Sequence, residues 1–235
     1  MLAVFKREMR SYFTGVIGYL FLVLYLAIAG VVLCYTTLFS NSADVSTYFS
    51  IMLIISAVML PLLTMKSFSE ERKQKTEQLL MTAPVSITGV VLGKFFAAYL
   101  MFSACITLTS LYSLVLIFYS SFKVAILFGN LIAILLVGMV YIAVGIFVSS
   151  LTENQLSAAV GTIAILLGFL AVGLLGMFFP TSFPLRYVFS FISIFTRFQS
   201  FTNGYFDIAS TVYYLSVAAI FIYLTIRVYD RRRYS

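Results

Sequence analysis

The sequence contains no histidine and only two cysteines, Cys34 and Cys105, each embedded in an apolar run. Without histidine there is no Ser/His/Asp set and no Cys/His metal site, and two isolated thiols do not make a disulfide framework. A lone thiol in such a run behaves as a small hydrophobe. Charge is scarce as well. Asp, Glu, Lys and Arg make up 10% of the chain, where a soluble domain carries about 25%. There is no GxxxxGK[ST] phosphate loop, so ATP binding of the usual kind is excluded. No repeat with a period of roughly 20–50 residues and no low-complexity stretch is visible.

What is there is apolar. Of the 235 residues 62% are hydrophobic, and the mean hydropathy is +1.07. Such a chain cannot cover its own surface with polar groups, so most of that surface is expected to face lipid. Crossing a hydrocarbon core of roughly 30 Å takes about 20 apolar residues. Runs of that kind lie near 16–39, 48–65, 94–118, 124–150, 157–179 and 211–229. The connections are short except for 66–93 and 180–210. The net charge of +7 falls in clusters between the runs rather than in a basic stripe with interleaved aromatics, which argues for loops flanking spans and against nucleic acid.

Six spans place both termini on one side. That side, with 66–93 and 151–156, holds Lys6, Arg7, Arg10, Lys66, Arg72, Lys73, Lys75, Lys94, Arg227, Arg231, Arg232 and Arg233. The other side holds Lys123, Arg186 and Arg197. The bias predicts cytoplasmic termini. Lys6, Arg7 and Arg10 precede the first run as in a signal peptide, but the run is too long and no small-residue cleavage site follows, so a retained helix is expected. Leu2, Phe5, Met9 and Tyr12 recur at helical spacing, with Lys6 and Arg10 on another face. The pattern suits a helix over 1–15 lying in the headgroup plane, with Gly15 and Gly18 turning the chain into the first span. A frayed tail is the alternative.

No ionisable side chain lies deep in any run; Lys66, Lys94 and Arg227 sit at ends, where they can snorkel. Ion-coupled carriers generally keep an ionisable group at membrane depth. Coupling to an ion gradient is therefore disfavoured, and any energy has to come from another subunit.

Most charge falls on Lys66-Ser-Phe-Ser-Glu-Glu-Arg-Lys-Gln-Lys-Thr-Glu-Gln-Leu-Leu-Met-Thr-Ala-Pro84. Ser67 with Glu70 fits a capping box, and Glu71–Lys75 and Lys73–Glu77 are opposite charges at i,i+4. The helix should end before Pro84, and Ser86 can cap a new helix through Val90 and Val91 into span three. The plain reading is a solvated loop tied by its own ion pairs.

Phe68-Ser-Glu-Glu-Arg-Lys-Gln-Lys-Thr-Glu-Gln-Leu-Leu-Met-Thr-Ala-Pro-Val-Ser86, with Val91-Leu-Gly-Lys-Phe95, resembles the permease subunits of type-2 ABC exporters, most of all gliding-motility-type and nitrous-oxide-reductase-maturation-type permeases. Phe5-Lys-Arg-Glu-Met-Arg-Ser-Tyr-Phe13 with Gly18-Tyr19 is similar to their N-terminal interfacial helix, and Gly145-Ile-Phe-Val-Ser-Ser-Leu-Thr-Glu-Asn-Gln155 to their turn between spans four and five. Where that family commonly has glycine in the pattern E-[RK]-[RK]-x-G-T, this chain has Lys75. The resemblance implies that the segment is a coupling helix docking on a cytoplasmic ATPase through Glu70, Glu71, Arg72, Lys73, Thr76 and Glu77, with Pro84 setting the break. It also implies ATP and Mg on that partner chain and none in this one, and a second permease copy, identical or related. It further implies an extracytoplasmic accessory protein in some relatives, and a bacterial cytoplasmic (inner) membrane.

In span five Ser157, Gly161, Ala164, Gly168 and Ala171 form a small-residue stripe that lets another helix approach closely. Packing within the chain is one reading. A dimer seam or translocation path is the other, and the one the resemblance implies. Pro61, near the end of span two, suits a gating kink or plain helix termination. The 180–210 segment is dense in aromatics; Phe191, Phe195 and Phe198 share a helical face, with Arg197 on another. Short re-entrant or interfacial helices fit that density. The resemblance makes them external gate helices, against the simpler aromatic belt.

The expected fold is an all-α integral membrane domain over 1–235. It has six transmembrane helices, an N-terminal interfacial helix, a cytoplasmic coupling helix after span two and extracytoplasmic re-entrant helices before span six. The expected function is a non-catalytic permease of an ATP-driven exporter that moves a substrate or works on an extracytoplasmic partner. The rivals are a passive channel or secondary carrier, and a membrane anchor for a non-transport complex.

Overall fold

The computed structural model describes residues 1–39, 45–76, 86–114, 124–178, 193–202 and 206–233, and the regular structure among them is entirely helical. Helices satisfy their own backbone groups, the condition for crossing lipid. Helix α1 (Leu2–Thr14) passes through the extended residue Gly15 into α2 (Val16–Leu33), which continues as a π-helical segment over Cys34–Leu38. Then come α3 (Val45–Thr64), α4 (Lys66–Lys73), α5 (Ile87–Leu114), α6 (Val124–Leu151), α7 (Gln155–Phe178), α8 (Ile194–Thr202) and α9 (Ile208–Arg233). Among the described residues six stretches are long and apolar enough to cross a membrane: Val16–Thr37, Val45–Lys73, Ile87–Tyr112, Ala125–Leu151, Gln155–Leu175 and Ile208–Arg232.

Helix α6 is the axis of the bundle and packs against α3, α4, α5, α7, α8 and α9. Val140, Tyr141, Ile142, Ala143, Val144 and Ile146 are buried at every angle around it, as expected for a helix apolar all round and enclosed by others. Lipid tails are as apolar as leucine, so close approach and interhelical hydrogen bonds hold such a bundle. At Gly145 a Cβ would fall on Thr64 Oγ1 and within 2.9 Å of Thr64 Cβ, so glycine is what lets α6 lie against α3. At Gly18 a Cβ would strike the Tyr12 carbonyl, which fixes how tightly α2 folds back on α1. Tyr25 and Ser56 hydroxyls meet at 3.0 Å between α2 and α3.

Two expectations about span two change. Pro61 neither ends the helix nor starts a loop. α3 runs through it to Thr64, Met65 still donates its N–H to the Pro61 carbonyl at 2.8 Å, and the chain resumes as α4 after that one residue. The capping box is absent too. Met65 precedes α4 with no side-chain cap, and Ser67 lies inside the helix with its hydroxyl buried and unpaired among the described residues. Ser86 behaves as expected, accepting the Gly89 N–H at 3.3 Å at the start of α5. The N-terminal segment is helical and packs on α5 and α2 rather than fraying.

Helix α8 sits at the end of the bundle where α3 begins, since Ser46 Oγ donates to the Thr202 carbonyl at 3.4 Å. The Tyr214 hydroxyl ties it to α9 by donating to the Ile194 carbonyl at 2.9 Å. Most of the expected 180–210 aromatic segment, Phe191 included, lies outside the described residues.

Candidate functional site

Opposite α8, at the end of α3, four other parts of the chain converge on α4. The centre is Lys94 of α5. It does not snorkel outward as expected of a cation at a span end but turns inward and is 2% exposed. Its ammonium lies 2.9 Å from Glu71 and 3.2 Å from Glu8 carboxylate oxygens. It also donates to the Ser67 carbonyl and stands 4.7 Å above the Phe68 ring. Two carboxylates, a carbonyl and a ring face offset the cost of removing the cation from water. Arg7 closes the group, at 2.7 Å from Glu71 and 2.9 Å from Glu8. Its partial burial opposes the charge, yet the hydrogen bond it donates to Glu8 and the charges of Glu71 and Glu8 outweigh that and hold the guanidinium pKa above its ordinary value. Glu71 therefore joins α1, α4 and α5 through one carboxylate.

The other flank of α4 is held by α6. Ser149 Oγ accepts the N–H groups of Phe68 and Ser69 at 3.1 and 3.2 Å and donates to the Met65 carbonyl at 3.1 Å. A single hydroxyl thus satisfies the backbone groups around the interruption at Met65, which a membrane helix otherwise tolerates poorly. Arg72 donates to the Leu151 carbonyl and pairs with Glu153, both at 2.9 Å, fastening α4 to the turn between α6 and α7. From α9, Tyr229 stacks on Phe68 with ring centres 4.6 Å apart, and Arg232 lies 5.6 Å from the Tyr229 ring.

After Lys73 the helix is closed by the hydrogen bonds Lys75 N–H to Arg72 and Thr76 N–H to Glu71, at 3.1 and 3.0 Å. That is the Schellman arrangement, and it puts Lys75 in the left-handed region at φ 58. The bend is thus made here by lysine, a residue with a Cβ, at a conformational cost.

The expected docking residues divide accordingly. Glu71 and Arg72 face the chain's own body. Thr76 Oγ1 bonds the Glu71 carbonyl at 3.2 Å. Glu70 takes Lys66 at 3.7 Å and Gln74 at 3.3 Å on the outer side, and Lys73 is exposed. Glu77 and Pro84 lie outside the described residues. The expected Glu71–Lys75 pair is replaced by the Arg7 and Lys94 contacts, because Lys75 has already left the helix.

The α7 stripe faces away from the bundle: Ser157, Ala164, Gly168 and Ala171 are exposed and Gly161 is half-buried. Among the described residues nothing lies within 4 Å of a Cβ at Gly168. Packing within the chain is kept at Gly161, where a Cβ would come 3.2 Å from Val148 Cγ1 of α6, while the rest of the stripe is turned outward. In α8, Phe198 is buried, Phe195 half-buried, and Arg197 stands 4.3 Å over the Tyr213 ring of α9. Cys34 and Cys105 are unbridged, and no group of His, Cys, Asp or Glu suited to a metal occurs among the described residues.

Lys94, Glu8, Arg7 and Ser149 were not singled out from sequence as site residues. The signal for Lys94 was a cation at the very start of an apolar run with further apolar residues before it, and for Ser149 a serine pair at the end of one. The family model described as ABC-2 family transporter protein matches residues 35–228. No curated protein matches the chain.

Proposed function

The chain belongs to the ABC-2 family of transporter proteins, and from that premise we propose that it is the permease subunit of an exporter powered by a separate ATPase. Six apolar helices and the family make it a multi-pass membrane protein. The observation that carries the proposal is the clamping of α4. An outside body pressing on its exposed face, Glu70 and Lys73, and on the segment continuing through Thr76 and Glu77 to Pro84, moves α3 directly. It also moves α5 through Lys94, α6 through Ser149, α9 through Tyr229 and α1 through Arg7 and Glu8. A short helix so tied acts as a handle for a rigid-body switch. Its exposed charges serve register on the partner more than raw affinity.

In this reading ATP and Mg sit on the partner, both termini are cytoplasmic, and α1 lies in the headgroup plane. The outward stripe of α7 receives a second permease copy. Export of a substrate, or force on an extracytoplasmic partner as the finer likeness to gliding-motility-type permeases suggests, follows from tilting the attached spans. Replacing residues 70–77 with a neutral linker should abolish co-purification of a Walker-motif ATPase, and the chain alone should hydrolyse no ATP. An altered chain that still captured the ATPase in full would end the α4 assignment.

A further inference from the structure

A groove of about 680 Å³ lies on the flank of α9 near the α4 end, lined by Phe147, Leu224, Arg227, Val228, Asp230 and Arg231. Val212, Leu215, Ile220, Tyr223 and Leu224 of α9 are all exposed, so this helix offers apolar surface over most of its length. That surface ends in Arg227 and Arg231, one turn apart and both exposed. Arg227 is held against the helix by its Tyr223 contacts, Nε donating to the hydroxyl at 2.7 Å and the guanidinium 5.2 Å from the ring. Among the described residues neither arginine forms an ion pair, whereas Arg7, Lys66, Arg72 and Lys94 all do.

We propose that this groove is a binding site for one anionic phospholipid, its phosphate between Arg227 and Arg231 and its acyl chains along Val228, Leu224 and Phe147. The apolar floor argues for a lipid rather than a free anion. The two guanidiniums, set against the single carboxylate of Asp230, argue for an anionic headgroup over a zwitterionic one. Arginines where a span meets the surface gain from anionic headgroups, and a planar guanidinium donates paired hydrogen bonds to phosphate oxygens. Because Tyr229, stacked on Phe68, belongs to the same turn of α9, a lipid seated here abuts the helix end that α4 touches.

The test is native mass spectrometry of the full-length chain released from detergent with phosphatidylglycerol or phosphatidylcholine of identical acyl chains. The expected result is retention of one phosphatidylglycerol in preference to phosphatidylcholine. In Arg227→Gln/Arg231→Gln that affinity should fall about thirtyfold, while Lys73→Gln/Lys75→Gln, with the same loss of charge, should keep it. Val228→Trp, which fills the floor, should weaken both lipids. A thermal melt of each variant reports that it is folded. Unchanged preference in the double arginine variant, or an equal loss in the lysine control, overturns the site.

Discussion

The Lys94 ammonium and the Glu71 carboxylate meet at 2.9 Å where Lys94 is 2% exposed and the Glu71 side chain 19%. Lys94→Met leaves the Glu71 and Glu8 carboxylates with Arg7 alone, so it should lower stability by about 1–3 kcal/mol, read as a lower midpoint of thermal unfolding in detergent. Glu71→Gln should cost less, since Glu8 still serves both cations. The double variant should recover part of the sum, with a coupling of roughly 0.5–3 kcal/mol. Strict additivity would mean that the contact carries no energy.

At Lys75 the left-handed backbone strains any side chain with a Cβ. Lys75→Gly should therefore raise stability by about 1 kcal/mol, and the β-branched Lys75→Val should lower it. Chemical denaturation of the three proteins side by side checks the order. A glycine variant no more stable than the parent would show that the Schellman bend is not formed in the folded protein.

How much of this was legible in the sequence follows from which forces leave a local trace. The apolar runs are such a trace, because lipid demands length and composition, and six helices answer to them. The break after Lys73 left no clear one: the pattern predicts a helix running on to just before Pro84, with Glu71–Lys75 paired along it, and a lysine rather than a glycine makes the left-handed turn. Pairing across the bundle leaves none. Lys94 sits just where a cation would snorkel, and only the arrival of Glu8 and Glu71 from distant parts of the chain turns it inward. Ser67 and Glu70 had the spacing of a cap, but α3 runs nearly unbroken into α4, so there was no free helix start to cap. The α7 stripe was readable as a close-packing surface, while its direction, outward, depends on the whole fold.

Gly145 fixes the distance between α6 and α3. Gly145→Ala should cost about 1–3 kcal/mol by overpacking against Thr64. Thr64→Ala in the same chain should restore part of the loss, because it removes Oγ1 and Cγ2 and leaves only the tight Cβ contact. Expression level and thermal midpoint of the two variants, alone and combined, settle the point. No rescue would mean that the obstruction is backbone rather than Thr64.

Asp207 starts α9 by accepting the Ala209 N–H at 3.0 Å and the Ser210 hydroxyl. The Ser210 hydrogen bond, with those from the Ala209 and Ser210 backbone, holds its carboxyl below the ordinary value. A depressed carboxyl stabilises the fold above its unfolded pKa, and that contribution is lost as pH falls through the folded value. Asp207→Ala should therefore cost about 1 kcal/mol at neutral pH. Its difference from the parent should hold steady down to about pH 4 and shrink below it. A difference that grew on acidification would contradict the cap.

The outward stripe of α7 gives the proposed second copy a concrete test. Ala164 and Ala171 are exposed, and Gly168 between them has open space where a side chain would begin. If two copies meet there, Ala164→Cys or Ala171→Cys should form an intermolecular disulfide on mild oxidation in native membranes, in a Cys34→Ser/Cys105→Ser background. A cysteine at Leu215, exposed on α9, should not. Gly168→Leu holds the backbones apart and should weaken self-association by about 1–3 kcal/mol. Since no described residue lies within 4 Å of a Cβ at Gly168, the substitution should leave the fold's thermal stability unchanged, which separates a lost interface from a damaged protein. Equal cross-linking at α7 and α9 would mean that the stripe faces lipid and that the pore, if formed by two copies, closes along another helix.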